Sequence, residues 1–341
     1  MNPYSYHRAD SIEDAVRALA ARPDARIIAG GTNLVDLMKY GVETPAALVD
    51  ITRIETLNGI AETADGGLRI GALVPNTALA EDARIRERYP LLASAILAGA
   101  TPQLRNAATT GGNLNQRTRC YYFYDVKTPC NKREPGTGCG AIGGVNRIHA
   151  ILGASEHCIA THPSDMCVAL AALGADVRIQ GPNGARSIPF ADYHRLPGDA
   201  PERDNTLQAG EIVEAVILPA EAKAYAVHHS YLKLRDRLSY AFALVSVAAA
   251  LDIREGLIVS ARLALGGVAH KPWRREEAEV ALVGAPPDEA AFAAAATSLL
   301  AGAEGHEHNS FKIELARRAI PRALRQAAAG TPQSQTDKRI A

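Results

Sequence analysis

Four of the chain's five cysteines fall between Gln116 and Cys158, spaced Cys120-x9-Cys130-x8-Cys139-x18-Cys158. Gathered thiols leave three chemistries open. Zinc and iron–sulfur clusters both take tetrahedral thiolate ligands, whereas disulfides need an oxidising compartment. Structural zinc sites usually pair cysteines two to four residues apart, and this segment holds no such pair. Its turn residues (Pro129, Pro135, Gly136, Gly138, Gly140, Gly143 and Gly144) suit a backbone wrapped around a compact inorganic core. On these residues zinc and a cluster stand level, with disulfides behind. Tyr121, Phe123 and their neighbours Tyr122 and Tyr124 could shield such a centre, cover an interface or pack the loop. His149, His157 and His162 read as surface or capping groups, and Cys167 as a small buried hydrophobe.

Two Gly-Gly pairs are the other candidates, in "IIAGGTN" (Ile27–Asn33) and "RNAATTGGN" (Arg105–Asn113). Glycines let backbone approach a ligand closely and leave amides free to face an anion. A helix starting after the first pair would add its dipole. Two such loops could grip one pyrophosphate, although two tight turns would look the same. Neither is G-x-G-x-x-G, so a Rossmann site is not supported.

The elements that position these residues follow from local pattern. Asp10-Ser11 opens a helix carrying Ile12, Val16 and Leu19, which Pro23 ends. Residues 26–29 read as a strand running into the first glycine pair, and Leu34, Leu37 and Met38 as the next helix. A strand at 47–51 and a hairpin of 57–61 with 68–73 come next, then helices from Pro75-Asn76 to Ala98, interrupted at Tyr89-Pro90. Beyond the cysteines, 164–173 reads as a helix and 175–180 and 211–218 as strands. From Ala224 three long runs, 225–234, 241–253 and 257–268, alternate like antiparallel strands, followed by helices near 274–283, 287–301 and 309–327. A domain boundary is expected at 220–224, and a disordered polar tail from Gly330.

At 341 residues the chain is too long for one ordinary core. Formal net charge is zero, with no long basic run, so neither nucleic acid nor an anionic membrane surface is an expected partner. The apolar runs are too short for a transmembrane helix. The N-terminus has no basic region leading into an apolar one, so it does not read as a secretory signal.

The ordered set "YHRADSIEDAVRAL", "IIAGGTNLVDLMK", "LRNAATTGGN", "HPSDM", "YLKLRDRLSYAFALVSVAAAL", "ARLALGGVAHKPWR" and "FKIELARRAIPRAL" resembles the flavin subunits of the molybdenum hydroxylases. These are relatives of xanthine dehydrogenase and carbon monoxide dehydrogenase. The resemblance covers nearly the whole chain. It implies an α+β fold: a two-lobed FAD-binding domain of the vanillyl-alcohol-oxidase type at 1–222, then a smaller α+β domain at 223–329 with a three-stranded antiparallel sheet.

By position it places FAD on Ile27, Ile28, Ala29, Gly30, Gly31, Thr32, Asn33, Leu34 and Val35, and on Thr109, Gly111, Gly112 and Asn113. Asp165 would contact the flavin's sugar-like chain, Lys233 would lie near the ring, and Val213 would meet the cofactor through its backbone. By sequence alone, Asp165 with Ser164 would instead be a helix cap and Lys233 a solvated strand lysine.

In most of the family the Ser-Asp motif follows the second loop within about a dozen residues; here 53 positions separate Gly112 from Asp165. The cysteine segment, about 115–160, is therefore an insertion. It resembles that of bacterial three-subunit aldehyde oxidoreductases, which implies a [4Fe–4S] cluster on Cys120, Cys130, Cys139 and Cys158. The implied partners are a large molybdenum-cofactor subunit and a small subunit with two [2Fe–2S] clusters, in a heterotrimer passing electrons to an external acceptor. No catalytic acid–base pair is expected. The implied compartment is the cytoplasm as synthesised, or the periplasm if a signal-bearing partner exports the complex. The alternatives are a stand-alone FAD reductase, the flavin subunit of another molybdenum hydroxylase such as a xanthine dehydrogenase or an aromatic acyl-CoA reductase, and a zinc-stabilised scaffold without flavin.

Overall fold

The computed structural model describes residues 1–238 and 240–335. Three sheets organise it. The first is parallel, in order β1 (Ser5–Arg8), β3 (Ala47–Asp50), β2 (Ala25–Ile28). Its crossover is the Ile12–Ala21 helix, started by Ser11, whose hydroxyl accepts the Asp14 N–H at 3.1 Å. Ala15, Val16 and Leu19 bury that helix against the sheet, so β2 is pinned where it delivers Gly30-Gly31. β1 escaped the sequence reading because all four of its residues are exposed and show no alternation.

The second sheet is antiparallel and five-stranded, in order β4 (Ile60–Glu62), β5 (Leu68–Gly71), β8 (Ile212–Leu218), β6 (Asp176–Gly181), β7 (Gly184–Pro189). One large core joins it to the Pro90–Ala98 and Asp165–Leu173 helices. The expected break at Tyr89-Pro90 is present, and Asp82 breaks the preceding stretch as well, into helices Asn76–Glu81 and Ala83–Arg88. The hairpin begins three residues later than expected, since Glu55–Leu57 is a 3-10 turn.

The third sheet runs β12 (Trp273–Arg274), β11 (Leu257–Gly266), β10 (Val245–Arg254), β9 (His228–Leu234). It therefore has four strands rather than three: Arg274, expected to begin a helix, and Trp273 before it pair instead with Ala264 and Leu265. Both faces are covered. Val245, Val247, Ala249 and Leu251 face the Glu289–Leu299 and Phe311–Ala328 helices, while Ala248, Ala250 and Ala264 join the core of the second sheet. Those small residues let the Asp165–Leu173 helix lie close. A Cβ on Gly266 would fall 2.5 Å from Val168 Cγ2, so that approach requires glycine. With both faces of the sheet covered, the alternation expected of its strands is not kept in their burial: β10 is buried without a break from Val245 to Leu251.

The expected boundary falls on the 3-10 turn Ala220–Tyr225. Of the polar tail, residues 336–341 lie outside the described residues. Within its described part, Gln333 Oε1 accepts the Lys233 N–H at 3.2 Å and Gln335 Nε2 donates to the Tyr231 carbonyl at 3.0 Å.

Candidate flavin cleft and cysteine lobe

The first Gly-Gly loop links β2 to the Leu34–Lys39 helix and lines a deep cleft. Ile27 through Leu34 face it from one side, Thr109, Gly111 and Gly112 from another, and Val213 of β8 from a third. Among the described residues, no acceptor meets the N–H groups of Gly30, Gly31, Thr32 or Asn33, and Asn33 Nδ2 is buried without a partner. Gly31 has φ +69°. Unsatisfied donors at a glycine turn make a ready anion cradle. Gly30 is needed for a different reason from the one its motif suggests: a Cβ there would lie 1.8 Å from the Ala107 carbonyl oxygen. Its absence lets one loop pack on the other.

The second loop is built differently. Thr109 caps a short helix, Thr110–Leu114, and its hydroxyl accepts the Gly112 N–H. The N–H groups of Thr110, Gly111 and Asn113 bond to the carbonyls of Val74, Ala72 and Thr109. Its amides are thus satisfied by protein, and this loop offers a close, side-chain-free wall rather than free donors. Val35 and Asn113 do not line the cleft. Val35 is in the helix, and Asn113 Oδ1 accepts from the Ser164 hydroxyl at 2.5 Å.

That bond leads from the second loop to Asp165 and Lys233, which also lie outside the cleft wall. Ser164 caps the Asp165–Leu173 helix through the Cys167 N–H at 3.0 Å, as local sequence suggests. Asp165 takes no part in that cap. Its carboxylate accepts from Lys233 Nζ and from the Tyr231 hydroxyl, both at 2.7 Å. Lys233 is buried, not a solvated strand lysine; its Nζ also donates to the Ala98 carbonyl at 3.2 Å. The Tyr231 hydroxyl, in contact with Ser246 as well, is pushed well above its usual pKa by burial and the Asp165 charge. Lys233 and Tyr231 are two residues apart on β9 and so share one face, which aims both at the helix start.

The cysteine segment folds into a lobe whose small core also takes in Leu37 of the helix after the first glycine loop. Cys120, Cys130, Cys139 and Cys158 all line one pocket, walled by Phe123, Ala141 and Ala160. None of the four is in a disulfide. Cys130 and Cys139 face each other across an antiparallel bridge. Asn131 ties the intervening turn: its Oδ1 accepts from Gly136 and Gly138, and its Nδ2 donates to the His157 carbonyl. Burial pushes the Cys120 thiol up to about 12 and Cys158 up to about 11. A metal binding there must displace those protons.

Cys167 is fully buried, as expected. With His162 and His194 it is, among the described residues, the one trio of His, Cys or carboxylate donors within 4.8 Å of one another. The donor types suit a metal, but three ligands with two rings packed 4.4 Å apart do not close a tetrahedral set. By the same count, no three of the other four sulfurs come within 4.8 Å of one another. His149 and His162 are buried rather than at the surface, and the His149 Nε2 lies 3.1 Å from Cys120 Sγ.

An ionic knot joins lobe to cleft, and sequence reasoning missed it. Arg117 donates its backbone N–H to Asn33 Oδ1 at 2.9 Å and bridges Glu43 and Asp204 with its guanidinium, which sits 4.7 Å from the Phe123 ring centre. Lys132, 2% exposed, donates to Asp204 and to the Pro201 carbonyl. Burial alone would raise the Asp204 pKa; Lys132 and Arg117 outweigh it and hold the carboxyl well below its usual range.

Residues 2–221 match the family described as the FAD binding domain in molybdopterin dehydrogenase, and residues 229–327 the CO dehydrogenase flavoprotein C-terminal domain. The chain is 49% identical over 330 residues to the aldehyde oxidoreductase FAD-binding subunit PaoB of Escherichia coli K12, covering 96% of this chain and 99% of that protein. It is 28% identical to the carbon monoxide dehydrogenase medium chain of Afipia carboxidovorans, over 95% of this chain and 98% of the other. Among solved structures, a chain of reconstituted CO dehydrogenase from Oligotropha carboxidovorans superposes with a TM-score of 0.75 at 27% identity, covering 96% of this chain and 99% of that one. A chain of quinoline 2-oxidoreductase from Pseudomonas putida 86 gives 0.73 at 28% identity, covering 97% and 98%. With its two-domain order, its cleft at the first glycine loop and matches spanning both domains, the chain belongs to the FAD-binding subunits of the molybdopterin dehydrogenases.

Proposed function

We propose that this chain is the electron-transfer FAD subunit of a molybdenum-dependent aldehyde oxidoreductase complex, with a [4Fe–4S] cluster on Cys120, Cys130, Cys139 and Cys158. The observation that carries this reading is the cysteine lobe tied to the flavin cleft through Arg117 and Lys132, in a chain similar throughout to a subunit named for aldehyde oxidation.

The residues fit both groups. Free N–H groups at Gly30 through Asn33 would hold the FAD pyrophosphate, with Thr109, Gly111 and Gly112 as the opposite wall and Val213 beneath. Asp165 would accept hydroxyl hydrogen bonds from the sugar-like chain, held in place by Tyr231 and Lys233, and Lys233 would add positive charge nearby. Flavin supplies two-electron storage that can be filled and emptied one electron at a time. In the lobe, tetrahedral zinc with bonds of 2.3 Å would need sulfurs about 3.8 Å apart. No three of the four sulfurs lie within 4.8 Å of one another, which favours a polynuclear centre, whose separate irons hold the ligands apart, over a single zinc. The apolar wall of Phe123, Ala141 and Ala160 would keep water from it.

Substrate oxidation belongs, in this reading, to a large molybdenum subunit, and a small subunit with two [2Fe–2S] clusters relays electrons to this chain and on to an external acceptor. Among the described residues no helix is long and apolar enough to cross a membrane. The test is anaerobic addition of an aromatic or aliphatic aldehyde to this chain alone and to the complex with co-expressed partners. Bleaching of the flavin only in the complex is expected. Bleaching of the isolated chain by NADH or NADPH, with no partner co-purifying, would identify a stand-alone reductase instead.

A further inference from the structure

The His149 ring is 1% exposed, and its Nε2 sits 3.1 Å from Cys120 Sγ. Its Nδ1 has no partner among the described residues. A thiolate ligand only accepts, so the ring nitrogen that faces it, Nε2, is the one that carries the N–H, and Nδ1, which meets no acceptor, needs none. The backbone that carries the ring is gripped from the other domain. Lys312 Nζ donates to the His149 carbonyl at 2.7 Å and to that of Gly267 at 2.6 Å. Asn309 Nδ2 donates to the carbonyls of His149 at 3.2 Å and Ala150 at 3.0 Å. Both side chains are fully buried at the start of the Phe311–Ala328 helix, and neither has a carboxylate partner among these bonds. On the lobe side, the rings of Tyr121 and Tyr122 flank His149 at 6.4 and 6.3 Å.

We propose that His149 sets the reduction potential of the four-cysteine centre by donating Nε2–H to the Cys120 thiolate, with Asn309 and Lys312 of the C-terminal domain fixing its position. The proposal rests on the reading of the four cysteines as cluster ligands. One added electron makes such a centre more negative. A donor aimed at a ligand sulfur stabilises the reduced form more than the oxidised one, and so raises the potential. The effect is strong where water is excluded, as at a side chain this buried. The C-terminal domain, which supplies no cysteine ligand, thereby controls the energy of the electron's next step.

The experiment is an EPR-monitored redox titration of the purified holoenzyme, with iron and sulfide measured on every sample. His149→Phe should keep its iron but lower the potential. At fixed poise its ratio of reduced to oxidised centre should fall about tenfold, which is 59 mV for a one-electron couple. His149→Gln, whose side-chain amide can donate in the same place, should recover part of the shift. Asn309→Ala, which loosens the His149 backbone and leaves the ring, should shift it in the same direction by less. A His149→Phe protein with full iron and an unchanged potential overturns the proposal. If that variant loses iron, an unchanged potential in Asn309→Ala overturns it. Absence of iron and sulfide from the unmutated chain would instead refute the cluster reading itself, and this inference with it.

Discussion

Lys132 Nζ donates to Asp204 Oδ1 at 2.5 Å, and the guanidinium of Arg117 donates to the other oxygen of the same carboxylate at 2.8 Å. One half-buried acid therefore pairs with two cations, one within the cysteine lobe and one at its entrance. Removing it leaves the buried Lys132 without a carboxylate and Arg117 with Glu43 alone. Asp204→Ala is expected to destabilise the protein by roughly 3–5 kcal/mol in chemical denaturation. Combining it with Lys132→Met, which removes the stranded charge, should restore part of that loss. A double variant no more stable than the single one would show that the knot does not act as a unit.

The cleft offers a second test at Gly30. A methyl group there must displace the Ala107 carbonyl, which is backbone and cannot rotate away. Gly30→Ala is expected to cost about 1–3 kcal/mol as overpacking and to separate the two loops. The flavin-to-protein ratio after purification should fall sharply. Full flavin occupancy in this variant would mean that the contact between the loops does not shape the site.

Acid sensitivity follows from buried imidazoles. Burial pushes His194 and His270 down to about 4 and His162 well below its usual value. Their pKa values are lowered on folding, so between about 4 and 6.5 the unfolded chain binds more protons than the folded one. Their neutral burial costs nothing above 6.5, and stability is lost as pH falls through that window, by up to roughly 1.4 kcal/mol per unit and per group. Denaturation midpoints measured from pH 7 to 4 should fall steeply, and less steeply in His270→Leu. An identical slope in that variant would contradict the assignment.

The Asp165 network makes a further distinction. Tyr231→Phe removes one of two side-chain donors to Asp165 and keeps the ring, so a loss of about 1–2 kcal/mol is expected. Lys233→Met strands the buried carboxylate and should cost more, roughly 3–5 kcal/mol. If Asp165 faces the flavin's hydroxyls, both variants should also bind FAD more weakly, as read from flavin release on dilution. Unchanged affinity in both would make the network purely structural.

What could be read in advance follows physical range. The Ser11 cap, the strand into Gly30-Gly31 and the helix after Ser164 are local, and each formed where its residues indicated. The apolar runs of the C-terminal sheet announced three strands, but β12 is two residues long and depends on β11 alone. The second glycine loop read like the first because glycine spacing does not reveal that Ala72 and Val74 satisfy its amides. Arg117, Lys132, Asp204 and His149 were hidden for a related reason. Their partners lie 29 to 87 residues away, and lone charged or imidazole side chains normally signal a solvated surface. Cysteine was the exception, since four thiols so close in sequence are informative before any contact is known.

The central claim is that the lobe is a redox centre beside a flavin. Iron, zinc and acid-labile sulfide per FAD, measured on anaerobically purified protein and on Cys130→Ser, test it most directly. About four irons and four sulfides per FAD, lost in the variant while flavin remains, are expected. Cys167→Ala should keep them all, because Cys167 lies in the helix core and not in the lobe pocket. One zinc per chain with no sulfide would contradict the claim and leave the lobe a structural clamp on an FAD-binding subunit.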